Sequence, residues 1–300
     1  MKPNRFQYIA AETIPEALRL LHTHQQDVKI IAGGQSLMPM LNYRVLSPQY
    51  LIDIGRLLEL DSISVNAGVI EIGAITRYVT MENSPVIQQY LPIMPEVIRH
   101  IAHLTIRNRG TIGGSLSHAD PASEMPMLMR LLDAQFELRS EHESRMVSAH
   151  DFFLGPLHTN LNHHELLTKV VIKVPSPQMG WAFEEFARRS GDYALAAVGI
   201  TVEVKQVSGK NSAHQLKIAM MGVGDTPLRL SSIETLMNGQ EFSDDLVARA
   251  KDQILQELDP RPDLQSSAAF KKHLASNIFS RVMHQAWDNA MVHHSGRAES

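Results

Sequence analysis

No cysteine occurs anywhere in the 300 residues. Disulfide bonds, a thiol nucleophile and a cysteine-ligated iron–sulfur cluster are therefore excluded within this chain. Excess basic charge is missing too: 28 lysines and arginines stand against 32 aspartates and glutamates, a formal net charge of −4. Without a basic face, nucleic acids and anionic lipid surfaces are poor partners. No apolar run reaches the roughly 18 residues that a membrane-spanning helix needs, and the opening segment MKPNRFQYIAAETIPEAL lacks the unbroken apolar core of a signal peptide. A cytoplasmic location is expected. The familiar nucleotide signatures are absent as well, since neither G-x-G-x-x-G nor G-x-x-x-x-G-K-[ST] occurs. That disfavours a Rossmann unit and a P-loop.

What is present reads as a globular protein of 44% hydrophobic and 20% charged residues, long enough for two or three compact units. Residues 5–9 suit a short strand. Thr13-Ile14-Pro15-Glu16 fits a capping box, and Ala17, Leu18, Leu20 and Leu21 supply the apolar face of the helix it opens. Apolar runs at 28–31 and 50–54 add strands to this small α/β unit. Ile63 to Val65 and Val69 to Ile72 flank Asn66-Ala67-Gly68 and predict a hairpin. Helices are expected near 76–83, 92–104 and 122–132, and strands near 134–139, 145–149 and 166–174. The Pro175-Ser176-Pro177 segment marks a domain boundary, because two prolines interrupt regular structure. Beyond it, strands at 181–188, 194–205 and 215–223 precede amphipathic helices at 242–258 and 266–289. The last ten residues, 291–300, are expected to form a flexible tail.

Two glycine pairs carry the first chemical signal. In Ile30-Ile31-Ala32-Gly33-Gly34-Gln35-Ser36-Leu37 an apolar strand runs into two glycines, an amide and a hydroxyl. Glycine admits positive φ and lets backbone N–H groups approach an anion closely, and Gln35 and Ser36 can add hydrogen bonds. Thr111-Ile112-Gly113-Gly114-Ser115, preceded by Arg107-Asn108-Arg109-Gly110, repeats that chemistry. Two such loops can grip both phosphates of one dinucleotide; each alone is equally well a tight turn. A bulky side chain at Gly33 is expected to obstruct the ligand and force an unfavourable φ while leaving the fold largely intact.

These motifs together, with Pro39, Ala119-Asp120-Pro121-Ala122-Ser123-Glu124, the segment from Glu185 through Arg188, Arg189, Gly191 and Asp192 to Tyr193 and Ala194, and Gly222-Val223-Gly224-Asp225-Thr226-Pro227-Leu228-Arg229, resemble the FAD-binding medium subunits of the molybdenum hydroxylases, those of carbon monoxide dehydrogenase in particular. The resemblance spans essentially the whole chain. It implies an α+β fold: a p-cresol methylhydroxylase-type FAD-binding domain over 1–175, with subdomains about 1–56 and 57–175, then a domain of antiparallel sheet and helices over 176–290. It also implies FAD contacts from residues 30–37 and 111–115, from Ile101, from Leu166 or Leu167, from Glu124 through a flavin hydroxyl, and from Tyr193 beside the isoalloxazine ring. One departure is that some relatives carry a lysine where this chain has Glu184-Glu185.

The resemblance gives the missing cysteines a meaning. Electrons in this family reach FAD from [2Fe–2S] clusters, which must then sit on a small partner subunit, with the molybdenum cofactor on a large one, in a dimer of heterotrimers. The acceptor would be NAD⁺, O₂ or a quinone, and no residue of this chain would be catalytic for substrate hydroxylation. A self-contained flavin oxidoreductase of the same fold, or a binding protein with vestigial glycine loops, are the competing readings. The histidine groups His22/His24, His158/His163/His164 and His293/His294 are read as surface residues, and no metal site is expected. Asp120 is expected to cap the helix that runs through Met125 to Leu132. The Arg107-Asn108-Arg109 cluster suits a phosphate, an acidic partner or solvent.

Overall fold

The computed structural model describes residues 2–207 and 209–295. In chain order the first half runs β1 (Gln7–Ala10), α1 (Ile14–His24), β2 (Val28–Ile31), α2 (Leu37–Asn42), β3 (Tyr50–Asp53), β4 (Ile63–Asn66), β5 (Val69–Gly73), α3 (Tyr78–Glu82), α4 (Pro85–Tyr90), α5 (Ile93–His100), α6 (Leu104–Arg107), α7 (Ile112–His118) and α8 (Glu124–Leu131). It continues with β6 (Gln135–Arg139), β7 (Ser144–Ser148), α9 (Ala149–Phe152), β8 (Phe153–Gly155), β9 (His158–Thr159) and β10 (Leu166–Lys173). The second half holds β11 (Gly180–Phe186), β12 (Ala196–Val207), β13 (Lys210–Met221), β14 (Leu228–Arg229), α10 (Ser231–Met237), α11 (Asp244–Glu257) and α12 (Ala268–Ser295). The fold is α+β, and its elements divide into two compact units.

The first unit takes the chain up to Gln88, then His103–Ala119 and Asp133–Lys173. Its three-stranded sheet, ordered β1-β3-β2, is parallel throughout, with α1 as the crossover from β1 to β2. Thr13 caps α1 by accepting from the Glu16 N–H at 3.2 Å. The reciprocal half of the capping box is displaced by one residue, because the Glu16 carboxylate accepts from the Glu12 N–H at 2.7 Å. Ile14, Ala17, Leu18 and Leu21, at helical spacing, bury one face of α1 against Val28, Ile52 and Ile54. The second sheet, β4-β5-β10-β6-β7, is antiparallel. Its β4–β5 turn places Ala67 at φ 49 and Gly68 at φ 78, the paired positive values that let a two-residue turn follow strand twist.

The second unit combines Gln89–Ala102 and Asp120–Leu132 with the chain from Val174 onward. Helices α5 and α8, which lie early in the sequence, thus pack with the four-stranded antiparallel sheet β11-β12-β13-β14. Strand alternation sorts the two faces of β12. Ala196, Val198, Ile200 and Val202 join a core with Ile254 of α11 and with Phe279, Val282 and Met283 of α12. Gly199 turns the other way, against Met127 and Leu131 of α8. Both faces are therefore covered by helices. In α8, Met125, Met127 and Met129 are wholly buried, where unbranched side chains fill irregular space.

Several boundaries differ from the sequence expectation. The helix expected over 92–104 ends at His100, because Ala102 adopts φ 42, and α6 starts afresh at Leu104. Helices α4 and α10 and the short β8–β9 hairpin carry no strong periodicity and were not foreseen. Helix α12 continues past 289 to Ser295, through the first half of the expected tail; residues 296–300 lie outside the described residues. Among the described residues no helix is long and apolar enough to cross a membrane.

Phe279 is fully buried between α12 and the sheet. Phe279→Ala is expected to destabilise the protein by about 3–5 kcal/mol through lost burial and a residual cavity, read as a lower urea midpoint. A change within about 0.5 kcal/mol, the range of an ordinary surface substitution, would place this side chain outside the core.

Candidate cofactor site

The first glycine segment is a strand-to-helix loop. Ile30 and Ile31 close β2, residues 32–36 turn, and Leu37 opens α2. Positive φ falls on Gly34, at 71, and not on Gly33. The Gln35 side-chain amide donates to the Gly33 carbonyl at 2.7 Å and so braces the loop from within. Gly33 has a different task. A Cβ placed there would lie 2.2 Å from the Arg109 carbonyl oxygen, so the loop rests backbone to backbone on the segment preceding Thr111. The expectation that a side chain at Gly33 would obstruct a ligand and force an unfavourable φ while leaving the fold largely intact is corrected by this contact: φ is not the obstacle, and the side chain would collide with the protein backbone first.

The second glycine segment is not a loop. Thr111 is the N-cap of α7, its hydroxyl accepting from the Gly114 N–H at 3.2 Å, and Ile112, Gly113, Gly114 and Ser115 form the first turn. Gly113 is glycine because Ala74 occupies the space of its missing side chain, with the Ala74 carbonyl 2.7 Å from a Cβ position. The N–H groups of Ile112 and Gly113 are engaged by the carbonyls of Thr76, at 3.1 Å, and Ala74, at 2.8 Å. The first turn of α7 thus has little backbone to offer an anion, and residues 32–36 are the better source of donors.

The two segments meet in a cavity of about 70 Å³, walled by Ala32, Gly33, Gly55, Thr111, Arg77 and Arg109, with Asp61 as its one acidic lining residue. Two guanidinium groups against one carboxylate, together with two glycines, fit a phosphate-bearing ligand in charge and in backbone access. Arg107, the other arginine of the sequence cluster, pairs with Glu82 at 3.5 Å. Leu167 lies elsewhere in this unit, 2% exposed within β10 opposite Leu138, and Leu166 beside it is buried as well.

The remaining candidates belong to the second unit. Asp120 does not cap α8. Its carboxylate closes a local turn by accepting from the Ala122 N–H at 2.9 Å, and the N-cap position falls to Ser123, which makes no side-chain capping bond. Asp120 lies four positions before the helix start, too far for a cap. Glu124 is the first helical residue, 6% exposed, and its carboxyl is pushed up to about 8. Burial is the main cause, the Glu185 and Asp120 carboxylates add to it, and the residue's own N–H and His100 oppose it.

Two members of this cluster were not singled out by their chemistry. His100, the last residue of α5, places Nδ1 3.3 Å from Glu185 and rests its ring edge-on against Phe183. The hydrogen bond to Glu185 is the first cause that holds the imidazole above its ordinary range. The Glu185 side chain is 5% exposed, and its Oε2 is buried without a hydrogen-bond partner. Glu184 faces the other side of β11 and pairs with Arg281 of α12 at 3.0 Å. Strand alternation carries the signal: of two consecutive glutamates, one must turn inward.

Tyr193 is 59% exposed beside a cavity of about 220 Å³ lined also by Asp120, Leu195, Gly222, Arg261 and Lys271. Arg261 is paired with Asp225 at 2.6 Å and Lys271 with Asp263 at 2.7 Å. Desolvation at this wall, and then Asp120, hold the phenol above its ordinary range. Ile101 is buried just past the end of α5. His158, His163 and His164 are exposed. Among the described residues, one group has metal-ligand spacing: His22, Glu141 and His142, all exposed, with ligand atoms within 4.8 Å of one another.

Two family models match in tandem, the FAD binding domain in molybdopterin dehydrogenase over residues 4–177 and the CO dehydrogenase flavoprotein C-terminal domain over 181–286. The chain belongs to the FAD-binding subunits of the molybdenum hydroxylase family. It is 38% identical to caffeine dehydrogenase subunit beta of Pseudomonas sp. strain CBB1 over 296 residues, 98% of each chain. With the carbon monoxide dehydrogenase medium chain of Hydrogenophaga pseudoflava it shares 34% identity, over 96% of this chain and 99% of the relative. A solved structure of that carbon monoxide dehydrogenase, lacking the Mo-pyranopterin moiety, matches with a TM-score of 0.92 at 34% identity, over 96% of this chain and 99% of its own. Quinoline 2-oxidoreductase from Pseudomonas putida 86 matches at 0.92 and 35%, over 97% and 100%. FAD is therefore the cofactor, and the chain is a subunit of an oxidoreductase.

The geometry separates the two glycines of the first loop. Gly33→Ala must move the backbone at Arg109 and is expected to lower the urea midpoint and the FAD content together. Gly34→Ala meets only side chains, with Ile31 Cδ1 nearest at 3.2 Å, and carries a left-handed strain of about 1–2 kcal/mol. Equal stability of Gly33→Ala and wild type would contradict the contact with Arg109.

Proposed function

We propose that this chain is the electron-transfer subunit of a molybdenum-containing hydroxylase, accepting electrons from [2Fe–2S] clusters on a small partner subunit and passing them to an external acceptor such as NAD⁺, O₂ or a quinone. The observation that carries the reading is the tandem family match in a chain without a single cysteine. Such a chain holds FAD but cannot ligate an iron–sulfur cluster through thiolates. The clusters then belong to a partner, and the molybdenum cofactor to a third, larger chain, in a dimer of heterotrimers. The names of relatives, among them a medium chain and a complex subunit alpha, support a multi-subunit setting.

Bound FAD supplies two-electron and one-electron redox chemistry; the protein supplies binding, orientation and electrostatics. In this reading residues 1–175 are the FAD-binding domain and 176–290 the C-terminal domain. Residues 30–37 and 111–115, joined by Arg77 and Arg109, hold the pyrophosphate. Most of its backbone donors come from residues 32–36. Glu124 and Tyr193 address the flavin half, and Ile101 and Leu167 provide apolar support. A cytoplasmic location fits an electron-transfer subunit of this kind. Selection of the organic substrate falls to the molybdenum subunit.

The chain purified without partners is expected to carry one FAD, identified by its absorption spectrum and by chromatography after denaturation, with neither iron nor molybdenum. Small organic substrates should leave that flavin oxidised. Rapid flavin reduction by such a substrate, with no partner present, would contradict the proposal and favour a self-contained flavin oxidoreductase.

A further inference from the structure

Charge around the N-terminal end of α8 does not balance. The enclosed Glu124 carboxyl feels the carboxylates of Asp120 and Glu185, and His100 is the imidazole beside it. His100 Nδ1 is 3.3 Å from Glu185, and its Nε2 is 4.0 Å from Glu96. A neutral imidazole donates through only one nitrogen, so carboxylates at both ring edges select the cation. That single positive charge is thus engaged from both sides. Glu124, almost fully enclosed, would on ionising place a second negative charge near Glu185, whose Oε2 is already buried without a partner.

Tyr193, whose phenol hydrogen-bonds with Asp120 and feels Glu124, is held above its ordinary range, and the cations on the surrounding elements have partners of their own. On α5, Arg99 pairs with Glu96 at 2.7 Å. On α8, Arg130 lies at the opposite end and donates to the Pro227 carbonyl at 2.6 Å. Arg229 of β14 is paired with Glu234 of α10, Lys217 of β13 stands across from Thr201, and Arg281 of α12 is held by Glu184. Arg261 and Lys271, near Asp120, are bound to Asp225 and Asp263.

We propose that Glu185, held in place by His100, keeps the enclosed Glu124 protonated, so that Glu124 meets FAD as a hydrogen-bond donor to an acceptor atom of the cofactor, not as an acceptor from one of its hydroxyls. This rests on the reading of Glu124 as a flavin contact. The sign of the pH effect follows. The Glu124 and His100 groups are both raised above their ordinary values, so the protonated arrangement is favoured in the folded protein and is lost as pH rises. FAD affinity then holds steady at neutral pH and falls as pH rises into the alkaline range, where Glu124 loses its proton.

The test is a fluorescence titration of the full-length apo-chain with FAD, from neutral to alkaline pH, alongside infrared difference spectra of its carboxyl groups. Wild type should show the alkaline fall. Glu124→Gln, whose amide still donates, should stay flat, and Glu185→Gln should move the fall to lower pH. A protonated-carboxyl C=O band should be present in wild type at neutral pH and missing in Glu124→Gln. A parallel fall in Glu124→Gln, an unmoved profile in Glu185→Gln, or no such band in wild type would each overturn the proposal. Wild-type affinity at neutral pH in Glu124→Ala would instead overturn the reading of Glu124 as a flavin contact, while the infrared band still reports its protonation.

Discussion

Backbone pressed against backbone at Gly33 is the constraint on which the arginine-lined cavity of the first unit depends. The Arg109 carbonyl occupies the space where any side chain would begin, and this fixes the β2–α2 loop against the residues that lead into α7. A second close approach, Gly113 against Ala74, seats the start of α7 on the end of β5 in the same way. Between these contacts Ala32, Gly33 and Thr111 wall one small cavity with Arg77 and Arg109. Glycine here is first a packing device and only then a route for a ligand to the backbone.

The second unit works by different physics. Its sheet is covered on both faces, with α11 and α12 on one side and α5 and α8 on the other, so the N-terminus of α8 is shielded from water. Placing Glu124 there costs stability whenever it must ionise, because burial penalises the charged form and the Glu185 carboxylate opposes it. An acid in such a place is the local inconsistency that marks functional positions in otherwise well-packed proteins. The same unit keeps Tyr193 exposed on a wall shared with Asp120.

Much of the architecture was legible because the signals were local. The α1 cap, the period of its apolar face, the Asn66-Ala67-Gly68 turn and the alternation in the last three long strands all act over a few residues. What escaped was set by distant partners. Nothing near Ala102 predicts its left-handed conformation, which ends α5. The glycines of 111–115 read as a loop because glycine is a poor helix former, yet a threonine cap and the room left for Ala74 put them in a helix. The assignment of α5 and α8 to the C-terminal sheet is a tertiary outcome with no sequence period of its own. His100 and Glu185 are brought together only by that packing.

The central claim is that this chain carries the flavin while its partners carry the metals. Capture of the tagged full-length chain from its native cells, followed by FAD, iron and molybdenum analysis of each separated subunit, tests it most directly. The account predicts FAD with this chain, iron with a smaller co-purifying chain and molybdenum with a larger one. Recovery of this chain alone, flavin-loaded and active on an organic substrate, would contradict it.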